Sequence, residues 1–387
     1  MAIEIQAFQS LENPPSLFHL REGGKNSGPS MSDKYLFVLP EGDAFQRIEH
    51  LLSQLDVDIP DYSEILGCSQ QQFRMVFPIF FTHLLKSRTD CTPIIKGWKA
   101  LLHRVHMDPY LSHLFYWMAS IEKLFNSRIG TFEIKIFYLA PQITSTERFF
   151  MEKLYSRMEV IEVGEVYDDL QNLVDPTNEC LLIKKIEVKK VFDSKAKPIL
   201  LELTYYNGDT NQVICKKGDD LRQDSYIQTI FEIFNQLWRN SRPDNSICPS
   251  IYTYKCVPIT SNFGFVQFVK NVESVLEFNW DEVKELTEQQ KYTLLSSLAG
   301  SYLASYILGI RDRHQDNMLV KDSHIFFHID FGHLWNQGPI IDAPRMAIPM
   351  RMKAGLSELE WWDTFVKLLF DGFKVLYNNA NHILNVC

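Results

Sequence analysis

Apolar residues along this chain follow two periods, and the change from one to the other divides it. Phe45, Ile48, Leu51, Leu52 and Leu55 share one face of a helix that starts at Asp43, with Asp43 and Gln46 forming a capping-box variant. Helical segments are also predicted near 69–86 and 109–126, the second with Asp108 as N-cap and Pro109 in its first turn. From about residue 131 the texture becomes β-rich. Residues 181–192, 198–206 and 211–217 read as strands, and Asn207-Gly208-Asp209 turns between the last two. A helix from Leu221 to Trp238 carries one apolar stripe: Ile227, Ile230, Phe231, Phe234, Leu237 and Trp238. A strand over Gly264–Val269 precedes further helices, and Met318–Val320 with Ile325–Ile329 reads as a short hairpin. Ahead of all this, Pro14-Pro15 and the stretch Gly23 to Pro29 mark residues 1–34 as a disordered leader.

With 387 residues there is room for two or three domains and an ample core without a disulfide or metal staple. A formal charge of −9 argues against a nucleic-acid partner, which would call for a basic face. It leaves membrane contact open, because local patches govern that. Seven scattered cysteines without C-x-x-C spacing fit reduced thiols in the cytoplasm. The N-terminus lacks the basic and apolar regions of a signal peptide. Tyr292–Ile310 is uncharged and near membrane-spanning length, but its serines and Gly300 suit a helix buried in protein better than one facing lipid. Any membrane attachment is therefore expected to be peripheral, with no transmembrane helix.

The chemistry concentrates between Gly309 and Gly332. Asp312 and Asn317 are separated by four residues, and Asp330-Phe331-Gly332 follows thirteen positions after the asparagine. This inventory suits phosphoryl transfer: a carboxylate near the attacking hydroxyl, an amide oxygen for one metal ion, and a carboxylate for metal on a short turn. A polar turn would also contain Asp and Asn, but it would not account for this spacing beside a buried helix and an apolar hairpin. His314, inside the loop, and His333, directly after D-F-G, are candidate bases, although a lone histidine is more often structural. Lys216 closes the strand V-I-C-K, and Asp224 lies three residues into the following helix, giving a lysine–acid pair that faces phosphates. Lys217 alternates to the opposite strand face. Neither G-x-x-x-x-G-K-[ST] nor G-x-G-x-x-G occurs.

The strings K-G-D-D-L-R-Q-D (217–224), L-A-G-x-Y-x-A-x-Y-x-L-G-I, D-R-H-x-x-N and H-I-D-F-G-H together resemble the phosphoinositide 3-/4-kinase family, over roughly residues 180–353. F-D-S-K-A-K-P-I-L-L-E-L and the histidine after D-F-G are closer to its 3-kinase branch. The resemblance implies an α+β, two-lobed protein-kinase-like fold preceded by a small helical region. The expected divisions are a helical accessory region at 35–128, an N-lobe at 129–270 and a C-lobe at 271–387 that is shortened at its end. It implies ATP and magnesium (Mg²⁺) as cofactors, with the metal held by Asn317 and Asp330 and with Asp312, His314 and His333 completing the catalytic set. Lys216, Asp224 and the Ser194 hydroxyl and N–H would meet the phosphates. Tyr254, Val266, Gln267 and Val269 would form the adenine wall and hinge; Y-K-C-V-P-I-T-S-N-F-G-F-V-Q-F-V-K-N aligns there with Y-G-C-L-S-x-G-x-x-x-G-x-I-E-V-V-x-N. Lys195, Lys197, Arg345, Arg351 and Lys353 are the expected substrate contacts. The implied partners are a phosphoinositide lipid at a membrane surface and a regulatory protein subunit.

Headgroups bearing extra phosphates require clustered Lys or Arg. The segment 333–353 has only Arg345, Arg351 and Lys353, so phosphatidylinositol itself is the expected acceptor, and the resemblance to the 3-kinase branch implies its 3-position. Arg311 stands where the family has glycine, and a backbone needing positive φ there would be strained. A related protein Ser/Thr kinase and an inactive nucleotide-binding scaffold are the alternatives.

Overall fold

The computed structural model describes residues 62, 67–87, 92–121, 128–129, 132–133, 145–242 except 169, 171, 172 and 195, then 247–339, 346–380 and 383. The leader at 1–34, the helix expected from Asp43, Lys195 and Arg345 lie outside these residues.

Helices α1 (Gln70–Lys86), α2 (Thr92–His106) and α3 (Pro109–Ile121) come first. They close on their own core, which includes Phe73, Phe77, Phe81, Trp98 and Phe115. Asp108 caps α3 as expected, accepting from the Leu111 N–H at 3.3 Å. Arg74 also grips its buried carboxylate, from Nε at 2.7 Å and Nη2 at 2.9 Å. The two-residue strands β1 (Arg128–Ile129) and β2 (Phe132–Glu133) pair with each other, and α4 (Ser145–Arg157) leads to the main sheet.

That sheet has seven strands. They are β3 (Val166–Tyr167), β4 (Val174–Asp175), β5 (Asn178–Val191), β6 (Ile199–Tyr205), β7 (Thr210–Lys217) and, after helix α5 (Leu221–Ser241), β8 (Cys256–Thr260) and β9 (Phe263–Gln267). The order is β3-β5-β6-β7-β9-β8, with β4 also on β5. Every pairing is antiparallel, so hairpins suffice to connect most neighbours. The stripe on α5 is fully buried, as its period requires. Strand β8 was not anticipated, because Pro258 interrupts its apolar run.

After this sheet come β10 (Val272–Ser274), α6 (Glu288–Ile307), the hairpin β11 (Met318–Lys321) and β12 (Ile325–His328), then α7 (Met350–Glu358) and α8 (Trp362–Asn378). Thr287 and Gln290 form a full capping box at the start of α6. Its uncharged run is a helix buried in protein, and no helix among the described residues is long and apolar enough to cross a membrane. The serines have a use there. Ser297 Oγ accepts from the Phe326 N–H at 3.0 Å, Ser301 Oγ donates to the Phe326 carbonyl at 3.4 Å, and Ser305 Oγ lies 2.7 Å from His328 Nδ1. Spaced by four, they form one polar seam that fastens α6 to the strand delivering Asp330.

The same helix crosses the 247–251 segment at Gly300, where an added Cβ would sit 2.0 Å from the Ser250 carbonyl oxygen. Backbone cannot yield as a flexible side chain can. Gly300→Ala should therefore cost about 1–3 kcal/mol or more through overpacking, seen as a lowered midpoint in urea unfolding. An unchanged midpoint would contradict this packing.

Candidate active site

Strand β7 ends at Lys216 and Lys217, whose side chains leave opposite faces of the sheet. Lys217 reaches Glu159 Oε1 at 2.9 Å and lies over the Tyr155 ring, as alternation demands. Lys216 turns toward the interlobe acids. Its direct partner is Asp219 Oδ2, at 3.2 Å, rather than the expected Asp224. Gly218, at φ +98°, folds the chain back and brings Asp219 over the lysine.

Asp224 still belongs to the cluster. Its Oδ1 accepts from the Phe331 N–H at 3.4 Å, and Gln223 Nε2 donates to the Phe331 carbonyl, so the first turn of α5 grasps D-F-G through its middle residue. Burial pushes the Asp224 carboxyl up to about 6, with Lys216 pulling down and Asp330 pushing up. Burial lowers the Lys216 ammonium, but Asp219, Asp224 and Asp330 together outweigh it and hold its pKa above the usual range. The Asp224 shift is thus chiefly burial, whereas the Lys216 shift reflects three carboxylates around one ammonium. A divalent cation would neutralise that excess.

The upward shift of Asp224 has a testable sign. The folded state favours the neutral acid, so its stabilising contribution is fully present below 3.8 and is lost as pH rises to about 6. The loss amounts to at most about 2–3 kcal/mol. Asp224→Asn should flatten thermal stability between pH 4 and 6 relative to wild type; parallel pH profiles would refute the assignment.

Asp312 and Asp330 take left-handed backbone conformations, φ +60° and +61°. Strain is therefore present in the loop, but it falls on the aspartates and not on Arg311, which is absent from the positive-φ residues. Asp tolerates this region better than most side chains. The Arg311 N–H donates to the His333 carbonyl at 2.9 Å, tying the loop to the residue after D-F-G. Asn317 is buried; its Nδ2 donates to the Asp312 carbonyl at 3.0 Å and lies 3.1 Å from His314 Nε2. The amide is thus held by its nitrogen, and no bond within the protein uses its Oδ1 among the described residues. Asp330 is exposed and keeps its turn closed by accepting from the Gly332 N–H at 3.2 Å. One carboxylate and one amide oxygen suit magnesium, which takes few protein ligands and completes its shell with phosphates and water. Among the described residues there is no group of three His, Cys, Asp or Glu that could hold a metal without such help.

His314 is exposed, with Nε2 3.9 Å from Asp312 Oδ2 and Nδ1 3.6 Å from Asp316 Oδ2. His333 Nδ1 lies 3.2 Å from the Gln337 carbonyl oxygen. Tyr254, Val266 and Val269 meet Phe327 and Phe331 in one apolar cluster behind the acids. Gln267 joins them at the end of β9. Ser194 lies at the exposed tip between β5 and β6, where its N–H donates to the Phe192 carbonyl at 3.0 Å; only its hydroxyl remains for a phosphate. Lys197 is exposed beside it at φ +44°. Arg351 and Lys353 lie on α7, two positions apart and so on different faces, with Lys353 over the Trp362 ring at 5.3 Å. They make no cluster.

One residue was missed at the centre. Arg313 is 3 % exposed and spans the loop, donating from Nε to the Arg311 carbonyl at 2.9 Å, from Nη1 to that of Ile329 at 2.7 Å and from Nη2 to that of Asp330. Its position inside D-R-H was the available signal. His328, two residues before Asp330, is also buried, and burial drives its imidazole well below the usual range.

The α+β, kinase-like fold gathers Lys216, Asp219, Asp224 and Asp330 into one cluster, with Asn317 on the loop that precedes the D-F-G hairpin. The family described as phosphatidylinositol 3- and 4-kinase matches residues 210–285 and 277–386, a little under half of the chain. The chain is 26% identical over 345 residues to phosphatidylinositol 3-kinase VPS34 of Saccharomyces cerevisiae, covering 78% of this chain and 39% of that protein. It is 27% identical over 341 residues to phosphatidylinositol 3-kinase pik3 of Schizosaccharomyces pombe, covering 74% and 42%. The root isoform of phosphatidylinositol 3-kinase from Glycine max is 28% identical over 216 residues, 51% of this chain and 26% of that one. The chain thus spans well under half the length of the curated relatives it matches.

Proposed function

We propose that this protein is an ATP- and magnesium-dependent phosphatidylinositol kinase that transfers the γ-phosphoryl group to the 3-hydroxyl of the inositol ring. The observation that carries this reading is the cluster of Asp219, Asp224 and Asp330 around Lys216 at the D-F-G turn, an excess of negative charge that fits a metal–nucleotide complex. The names of the relatives support the lipid and the 3-position. In this reading Asn317 and Asp330 hold magnesium, which when bound supplies charge neutralisation between phosphate oxygens. Lys216 binds the α/β-phosphates, and the hinge around Gln267–Val269 binds adenine through its main chain. Asp312 orients the attacking hydroxyl in this reading, with His314 or His333 taking the proton. Most of the rate comes from placing the two substrates and from fixed charges. Arg351 and Lys353, unclustered, suit a headgroup without extra phosphates. The division into helical accessory region, N-lobe and C-lobe, peripheral recruitment to membranes and a regulatory subunit belong to the same reading.

The test is incubation with labelled ATP, magnesium and vesicles carrying phosphatidylinositol or its phosphorylated forms. Label in phosphatidylinositol is expected. Label only in the bisphosphorylated lipid would remove the assigned acceptor, and label only in protein would make it a protein kinase.

A further inference from the structure

Two of the places where the hinge departs from the family pattern meet in space. That pattern has glycine at 255 and glutamate at 267, whereas this chain has lysine and glutamine. Gln267 closes on Lys255 from both sides: its N–H donates to the Lys255 carbonyl at 2.8 Å, and its Oε1 accepts from the Lys255 N–H at 3.1 Å. The Lys255 side chain then reaches away from the hinge, and Nζ donates to the Thr177 carbonyl at 2.6 Å.

The anchor it reaches is rigid. Thr177 lies in the turn between β4 and β5, and Asp175 Oδ1 accepts both its N–H at 2.7 Å and its hydroxyl at 2.8 Å. Asp175 Oδ2 accepts from the Tyr205 hydroxyl on β6 and from Asn211 Nδ2 on β7 at 3.3 Å. Asp175, Thr177 and Tyr205 are all buried, so this network is satisfied inside the sheet and resists deformation. One residue past Gln267, the Phe268 N–H donates to the Gln212 carbonyl at 3.2 Å. An unbroken series of bonds therefore runs from the sheet interior to the chain segment ending at Val269.

We infer that Lys255 is a positioning residue for nucleotide recognition, stapling the hinge to the Asp175–Thr177 turn so that the main-chain groups expected to meet adenine are already in place. The inference rests on the kinase reading and extends it to a residue whose family counterpart has no side chain. The physical basis is preorganisation: a hinge held in its binding geometry spends less binding energy on ordering. A charge-assisted bond to a fixed carbonyl is strong enough to matter.

The test measures affinity for a fluorescent ATP analogue, KM for ATP, kcat and melting temperature in wild type, Lys255→Met and Lys255→Arg. Lys255→Met should weaken the analogue and raise KM by about threefold to tenfold, with smaller changes in kcat and melting temperature. Lys255→Arg, which keeps a donor within reach of the carbonyl, should restore most of the affinity. Asn211→Ala, which loosens the anchor and leaves Lys255 intact, should shift affinity in the same direction. Equal affinity in wild type and Lys255→Met overturns the inference alone, as does a lowered melting temperature without a change in affinity. A wild-type protein that binds no nucleotide overturns the kinase reading, and this inference with it.

Discussion

Asp330→Asn should lose about a thousandfold or more in phosphoryl transfer while the protein stays folded. The substitution keeps what the backbone needs. Asn tolerates the φ of +61° as well as Asp does, and its Oδ1 can still accept from the Gly332 N–H. What it removes is charge, at a carboxylate that helps raise both Lys216 and Asp224. With one acid fewer, Asp224 should ionise below its present value of about 6. Asp330→Ala should lose as much activity and, in addition, about 1 kcal/mol of stability, because alanine has no side chain to offset the left-handed backbone. Kinase assays beside urea unfolding of both variants separate the two roles. An asparagine variant keeping a tenth of wild-type turnover would remove Asp330 from metal binding.

Much of this fold was legible because burial enforces period. On α5 the residues of the apolar stripe recur at helical spacing and the structure buries all six; the turn at Asn207-Gly208-Asp209 fixes how β6 meets β7. Helix α2 escaped notice although Ile94, Trp98, Leu101 and Val105 share a face, since no strong cap announces it and Thr92-Pro93 reads equally as a turn. The seam on α6 was half visible. Serine made a membrane span implausible, but which serine meets which strand depends on the docking of β12.

The site shows the same division. Residue types at fixed spacing marked Asp312, Asn317 and Asp330, because metal and phosphate chemistry demands oxygen donors. Which acid contacts Lys216 was not readable: Asp219 and Asp224 lie in one motif, and the choice turns on the backbone at Gly218. The strain expected at Arg311 proved to lie one residue later for a similar reason, since sequence indicates that a tight loop exists without indicating which φ pays for it. Arg313 was invisible as a structural element because a charged side chain normally reads as solvated, and only the fold shows it enclosed by carbonyls.

Arg313→Ala should be the most damaging substitution outside the residues proposed to hold metal and phosphate. The guanidinium joins the carbonyl before Asp312 to the two carbonyls at Ile329 and Asp330, so one side chain sets the distance between the two halves of the site. It also lies against the Phe331 ring, 5.7 Å from the centroid. Removing it leaves three inward-facing carbonyls without these donors and frees both left-handed aspartates to relax. The expected loss is about 3–5 kcal/mol in stability, with activity down by about a hundredfold even where the protein remains folded. Arg313→Lys distinguishes positioning from charge. An ammonium retains the positive charge but cannot present the planar fork that meets separate carbonyls, so it should recover part of the stability and little of kcat. Hydrogen exchange should report the cause, with faster exchange at Phe331 and Gly332 in both variants than in wild type. Wild-type kcat in Arg313→Lys would show that charge alone suffices and that the fork does not hold the two aspartates in register.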